Sequence, residues 1–175
     1  PEWGKGNPRN DYGQGFYCTE SLELAKEWAC QKNTDGYANQ YELNTQGLNV
    51  LDLSQEPFNL LHWLTILMQN RVFSPKSPIG KQNLQFLTDR FHLDYQQYDI
   101  IRGYRANDSY FSFASDFLEN IIPVQNLASS MRLGSLGLQT VLKSKKSFER
   151  LTFVKTIFSP KEKYYSKLLV SGKTF

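Results

Sequence analysis

Cysteine, histidine and methionine each occur only twice in these 175 residues, and no apolar run is long enough to cross a bilayer as a helix. These shortages remove whole classes of chemistry. Cys18 and Cys30 are too few for a disulfide framework, and no histidine neighbours Cys18, which reads as a packing residue and not as a nucleophile. His62 lies within an apolar run and His92 near an expected helix end, so the His, Cys and acidic residues show no metal-ligand spacing. A phosphate-cradling Gly-Lys-Ser turn is missing too. Charge of one sign is scarce: the net charge is +3, and the one dense basic run, Lys143 to Arg150 with Lys155, Lys161 and Lys163, reads as a solvated face. With no signal-peptide pattern, the expected compartment is the cytoplasm, with both thiols free and no membrane partner.

Aromatic and aliphatic residues are plentiful. A 40% hydrophobic content without a Ser/Gly or charge-block linker predicts one compact domain over residues 1–175, and 12 Phe, 10 Tyr and 3 Trp supply both core mass and stacking surface. The order of elements reads as α+β. Helices are expected at 20–31, 58–69, 82–91, 110–120, 123–131 and 145–150, and strands at 16–18, 36–43, 48–53, 98–101, 138–142 and 151–158. Strands 36–43 and 48–53, split by the Asn44 to Gly47 turn, are expected to pair as an antiparallel hairpin. Arg71 to Gly80, with Pro75 and Pro78, reads as a loop, and so does Gly134 to Gly137. The tail from Ser159 reads as a mostly exposed helix fraying toward Phe175.

The densest information lies in Asp11-Tyr12-Gly13-Gln14-Gly15-Phe16-Tyr17-Cys18-Thr19. Gly13 and Gly15 permit a tight turn or a close ligand approach, Phe16 to Cys18 forms a short strand, and Thr19 is placed to cap the next helix. Tyr17 then stands where a strand meets a helix N-terminus, a junction that offers unpaired N–H donors to anionic groups.

This motif, followed by Leu24-Ala25-Lys26-Glu27-Trp28-Ala29, resembles a bacterial family of uncharacterised ADP-ribosyltransferase-like proteins, whose fold is that of diphtheria toxin and the poly-ADP-ribose polymerases. The likeness extends through Tyr98 to Ile101 with Ala106-Asn107-Asp108, and through Leu138 to Ser144 with Phe148 and Leu151-Thr152-Phe153. It implies two packed small β-sheets flanked by helices, and NAD as substrate with no metal. The expected reaction is cleavage of the nicotinamide–ribose bond with transfer of ADP-ribose to a protein, nucleic-acid or small-molecule acceptor, or to water, in a toxin-like or defence role. By motif match Tyr17 stacks on nicotinamide, Gly15, Phe16 and Thr19 belong to the NAD-binding segment, and Trp28, eleven residues on, is the second nicotinamide-facing aromatic. Trp28 also fits a core stripe with Leu24, Ala25 and Ala29.

Two departures bear on catalysis. The strand position that carries the family's glutamate is matched by Gln139, which keeps hydrogen-bonding reach but has no charge to set against a cationic transition state. A carboxylate restored at 139 is expected to raise turnover if the position is catalytic, and a core role bonding to backbone is the alternative. The first strand, with its His or Arg, is expected before Pro1. Three readings follow: an NAD-cleaving enzyme with Tyr17 and Gln139 as catalytic residues, a degenerate NAD or ADP-ribose-binding module of the same fold, and an interaction domain using the Lys143 to Lys163 basic face.

Overall fold

The computed structural model of the chain describes residues 1–30, 33–71, 73–106, 108–133 and 137–170. It is an α+β arrangement in the order β1 (Phe16–Cys18), α1 (Leu22–Ala29), β2 (Gly36–Leu43), β3 (Val50–Asp52), α2 (Leu60–Asn70), α3 (Pro78–Phe91), β4 (Ile100–Tyr104), α4 (Asp108–Leu118), α5 (Val124–Leu133), β5 (Leu138–Leu142), α6 (Lys145–Glu149), β6 (Leu151–Ser159) and α7 (Lys161–Val170). A four-stranded sheet runs β1-β5-β4-β3, and a two-stranded sheet pairs β2 with β6.

The expected hairpin does not form. β2 pairs antiparallel with β6, from Gly36 opposite Ser159 to Leu43 opposite Leu151, while β3 joins the other sheet parallel to β4. The reason is burial: Leu51 and Leu53 alternate onto the face covered by α2, whereas the eight residues of β2 find a nine-residue partner in β6. Gly47, at φ 73°, turns the chain from one sheet to the other.

Helix α2 carries the core. Asn59 and His62 form a reciprocal cap, in which the Asn59 side chain accepts from Leu61 N at 2.9 Å and His62 Nδ1 accepts from Asn59 N at 3.2 Å. Beyond that cap, Trp63, Leu64, Ile66 and Leu67 are all buried against Tyr12, Leu51, Ile101 and Val141. Helix α3 begins inside the stretch read as a loop: Pro78 takes the first turn, and the Ser77 hydroxyl accepts from Gly80 N at 2.9 Å. Glu119 closes that helix start by accepting from Lys76 N and the Ser77 hydroxyl, which gives this acid a structural task. Strand β4 starts two residues later than expected because Tyr95–Gln97 form a 3-10 turn. Asp99, just before β4, ties the sheet's ends together. Its Oδ2 accepts from Asn49 N at 2.9 Å and its Oδ1 from the Ser144 hydroxyl at 2.5 Å, and these bonds hold its carboxyl below the usual range.

Near the termini, the cap of α1 differs from the expected one, and the mostly exposed C-terminal helix has one buried anchor. Helix α1 is capped by Ser21, whose hydroxyl accepts from Leu24 N, while Thr19 Oγ1 accepts from Ser21 N one step earlier. The C-terminal helix is anchored by Tyr164, which is buried, bonds Glu23 of α1 at 3.2 Å and is ringed by Lys26, Lys163 and Lys167. Lys32, Gly134 to Leu136 and residues 171–175 lie outside the described residues.

A Cβ on Gly36 would sit 2.0 Å from the Ala29 carbonyl oxygen, a backbone atom that has no room to move. Gly36→Ala is expected to lower stability by about 1–3 kcal/mol, read as a lower urea midpoint at unchanged slope.

Candidate functional site

Asp11, Tyr17, Trp28, Arg71, Arg105 and Gln139 line one cavity of about 260 Å³ on the core side of the β1 edge. Strand register explains part of this convergence. Tyr17 pairs with Val141 and Gln139 lies two residues before it, so both side chains leave the same face of the sheet. Trp28 arrives from α1, Arg71 from the end of α2 and Arg105 from the end of β4.

The organising group is the buried carboxylate of Asp11. Its Oδ1 accepts from Arg71 Nε at 3.1 Å and Nη2 at 2.7 Å, and its Oδ2 accepts from Ala106 N at 2.9 Å and Gln139 Nε2 at 3.1 Å. Four donors occupy its acceptor sites, so Asp11 holds its neighbours in place and has no lone pair left to act as a base. Gln139 Nε2 also donates to the Tyr104 carbonyl at 3.3 Å. With both of these partners being acceptors, the amide has one orientation only, and Oε1 is the end that remains as an acceptor. The same Tyr104 carbonyl receives the Tyr12 hydroxyl at 2.7 Å and Trp63 Nε1 at 2.9 Å. Gly103 makes this possible, because a Cβ there would stand 2.2 Å from the Tyr12 hydroxyl oxygen.

Tyr17 contributes its ring and not its acidity. Its hydroxyl donates to Gly13 O at 2.7 Å and accepts from Tyr12 N at 3.0 Å, and burial pushes the phenol well above its ordinary range. Arg105 stands over the Trp28 indole with its guanidinium carbon 5.0 Å from the ring centroid. Burial lowers that guanidinium to about 10, against the opposing pull of Asp11 and Glu27, so it stays cationic at neutral pH.

The residues singled out in the sequence therefore separate into three places. Tyr17, Trp28 and Gln139 meet in this cavity. Gly15 lines a different one, of about 320 Å³, and packs tightly, since a Cβ there would meet Val141 Cγ1 at 2.7 Å. Phe16 points to the opposite face of β1, edge-on to Tyr41 at 5.7 Å, and with Thr19 lines a third cavity of about 480 Å³ between the sheets. Cys18 is on that face too. Its thiol donates to Thr140 O at 3.2 Å, and burial pushes it up to about 12, so it carries almost no thiolate at neutral pH. Among the described residues no group of three His, Cys, Asp or Glu side chains could hold a metal.

Asp11, Arg71 and Arg105 are not among the site residues that the sequence motif points to. Asp11 opens the motif and was visible there. The arginines gave no signal of their own, because only the fold brings Arg71, 60 residues away, onto Asp11. Lys143 corrects the solvated-face reading: it is half-buried and its Nζ donates to Tyr12 O at 2.5 Å and Gln14 O at 2.6 Å.

Asp11→Asn keeps an accepting oxygen on one side only, so its amide N–H must face either the Arg71 fork or the Ala106 N–H, and Arg71 loses its charge partner. The variant is expected to lose about 3 kcal/mol in urea unfolding, the scale of breaking a buried ion pair.

Residues 1–153 match the family described as "Protein of unknown function (DUF3990)", and the chain belongs to that family. No curated protein and no solved structure matches it.

Proposed function

We propose, from the cavity that joins Tyr17, Trp28 and Gln139, that the protein binds NAD and cleaves its nicotinamide–ribose bond. ADP-ribose then passes to an acceptor or to water. One observation carries the reading: three residues at positions 17, 28 and 139, chosen for their likeness to ADP-ribosyltransferases, line a single cavity. The division into a four-stranded and a two-stranded sheet, with helices around them, is also what an ADP-ribosyltransferase-like fold calls for.

In this reading the rings of Tyr17 and Trp28 wall the nicotinamide, and Gln139 Oε1 accepts a hydrogen bond from a ribose hydroxyl. The C–N glycosidic bond breaks with its electron pair going to the nicotinamide nitrogen, and an acceptor oxygen or nitrogen, or water, bonds to the anomeric carbon and loses its proton. Positive charge develops on the ribose. The neutral Gln139 offers it a dipole where a carboxylate would offer a charge, and the Asp11 charge is already held by Arg71. That feature favours the second reading, a module that binds NAD or ADP-ribose without cleaving it.

Nicotinamide release from NAD separates the two. The enzyme reading predicts release by the wild-type chain and a loss of about a hundredfold or more in Tyr17→Ala, with the fold retained by circular dichroism. Binding with no release supports the module, and unchanged release in Tyr17→Ala removes that residue from the site. Gln139→Glu would place a second carboxyl about 3.1 Å from Asp11 Oδ2. Two carboxylates that close repel, so Asp11 opposes the charge that this variant introduces. Any gain in turnover from this variant is therefore expected to grow as pH rises, read as a pH profile of nicotinamide release against the wild type.

A further inference from the structure

Behind the glycine loop lies a cavity of about 320 Å³ that the Tyr17 site does not use, lined by Trp3, Gly13, Gln14, Asn70, Gln96 and Lys143. Lys143 is its only charged wall among the described residues. The Nζ of Lys143 donates to the Tyr12 and Gln14 carbonyls, and an ammonium carries three N–H donors, so one remains for the cavity. The Tyr95 ring also flanks this cation, with the centroid at 6.0 Å. Among the described residues Lys143 pairs with no carboxylate, although the other lysines of the same segment do: Lys145 reaches Glu149 and Lys146 reaches Asp99.

A cation taken out of water without an opposite charge is costly, and proteins ordinarily supply a partner. Burial alone brings the Lys143 ammonium down to about 8, which reports the same missing partner. Trp3 is fixed beside it, since its indole N–H donates to the Lys143 carbonyl at 3.3 Å. Gln96 stands exposed at the rim, and its side chain bonds the Tyr95 hydroxyl.

We propose that this cavity is an oxyanion site, in which the third N–H of Lys143 binds a phosphoryl- or carboxylate-sized group, either a free ion or the charged end of a small metabolite. The site is separate from the Tyr17 cavity but shares a wall with it. Lys143 holds the Tyr12 and Gln14 carbonyls, and the Tyr17 hydroxyl holds the Gly13 carbonyl between them. An anion that draws on Nζ therefore acts on the loop that positions Tyr17.

The test is a titration of the ¹⁵N-labelled chain with sodium sulfate, at ionic strength held constant with chloride, and a parallel titration with ribose 5-phosphate. The proposal predicts saturable shifts of the Gly13, Gln14 and Gly15 amides and the Trp3 indole N–H. Affinity should fall about tenfold or more in Lys143→Gln. Tighter binding of ribose 5-phosphate than of sulfate identifies a metabolite's phosphoryl group as the ligand, and equal binding identifies the free ion. Shifts that grow linearly, that fall on the Lys145 to Lys163 face, or that survive undiminished in Lys143→Gln overturn the proposal. Should that variant fail to fold, the wild-type shift map alone decides between these outcomes.

Discussion

The buried carboxylate of Asp11 is the constraint on which the cavity depends, because it draws donors from three distant parts of the chain to one point. Arg71 ends α2, Ala106 follows β4 and Gln139 stands in β5, and each gives at least one hydrogen bond to the same side chain. Burying a carboxylate is unfavourable unless its acceptor sites are filled, so the four bonds stand or fall together. Asp11 thereby fixes the orientation of the Gln139 amide and the direction of the Arg71 fork, and through them the shape of the space between Tyr17 and Trp28.

The glycine loop is the second constraint, and it is held from both sides. Its carbonyls at 12, 13 and 14 go in turn to Lys143, Tyr17 and Lys143, and the Tyr12 N–H returns to the Tyr17 hydroxyl. Gly13, at φ 74°, has no room for a side chain, since a Cβ would meet Asn70 Oδ1 at 2.6 Å. Tyr17 is thus a wall of the cavity and also a clamp on its own loop. A ring-preserving change at this position would separate the two roles.

What could be read from the sequence is what local pattern decides. Strand β5 begins and ends where expected, at Leu138 and Leu142, and the expected helix with the apolar run around His62 is α2, which carries the core. The pairing of β3 was not legible. Three residues carry no register of their own, and Leu51 chose the side covered by α2. Pro78 sits in a stretch whose prolines suggest a loop, although the first turn of a helix suits it. The cavity was half legible: Tyr17, Trp28 and Gln139 came from likeness to a family, whereas Arg71 and Arg105 depend on contacts spanning the chain. Lys143 shows the same limit from the other side, because a lysine within a basic run gives no sign that it turns inward.

These observations make NAD binding between Tyr17 and Trp28 the central proposal, and the three tryptophans allow it to be tested directly. Trp63 is buried in the core, Trp3 borders the Lys143 cavity, and Trp28 alone lines the Tyr17 cavity. The decisive measurement is an NAD titration that follows the three indole N–H resonances of the ¹⁵N-labelled chain. A saturable shift of the Trp28 resonance, with that of Trp63 unmoved, is the predicted result. A Trp28 resonance that stays in place at saturating NAD would contradict the account.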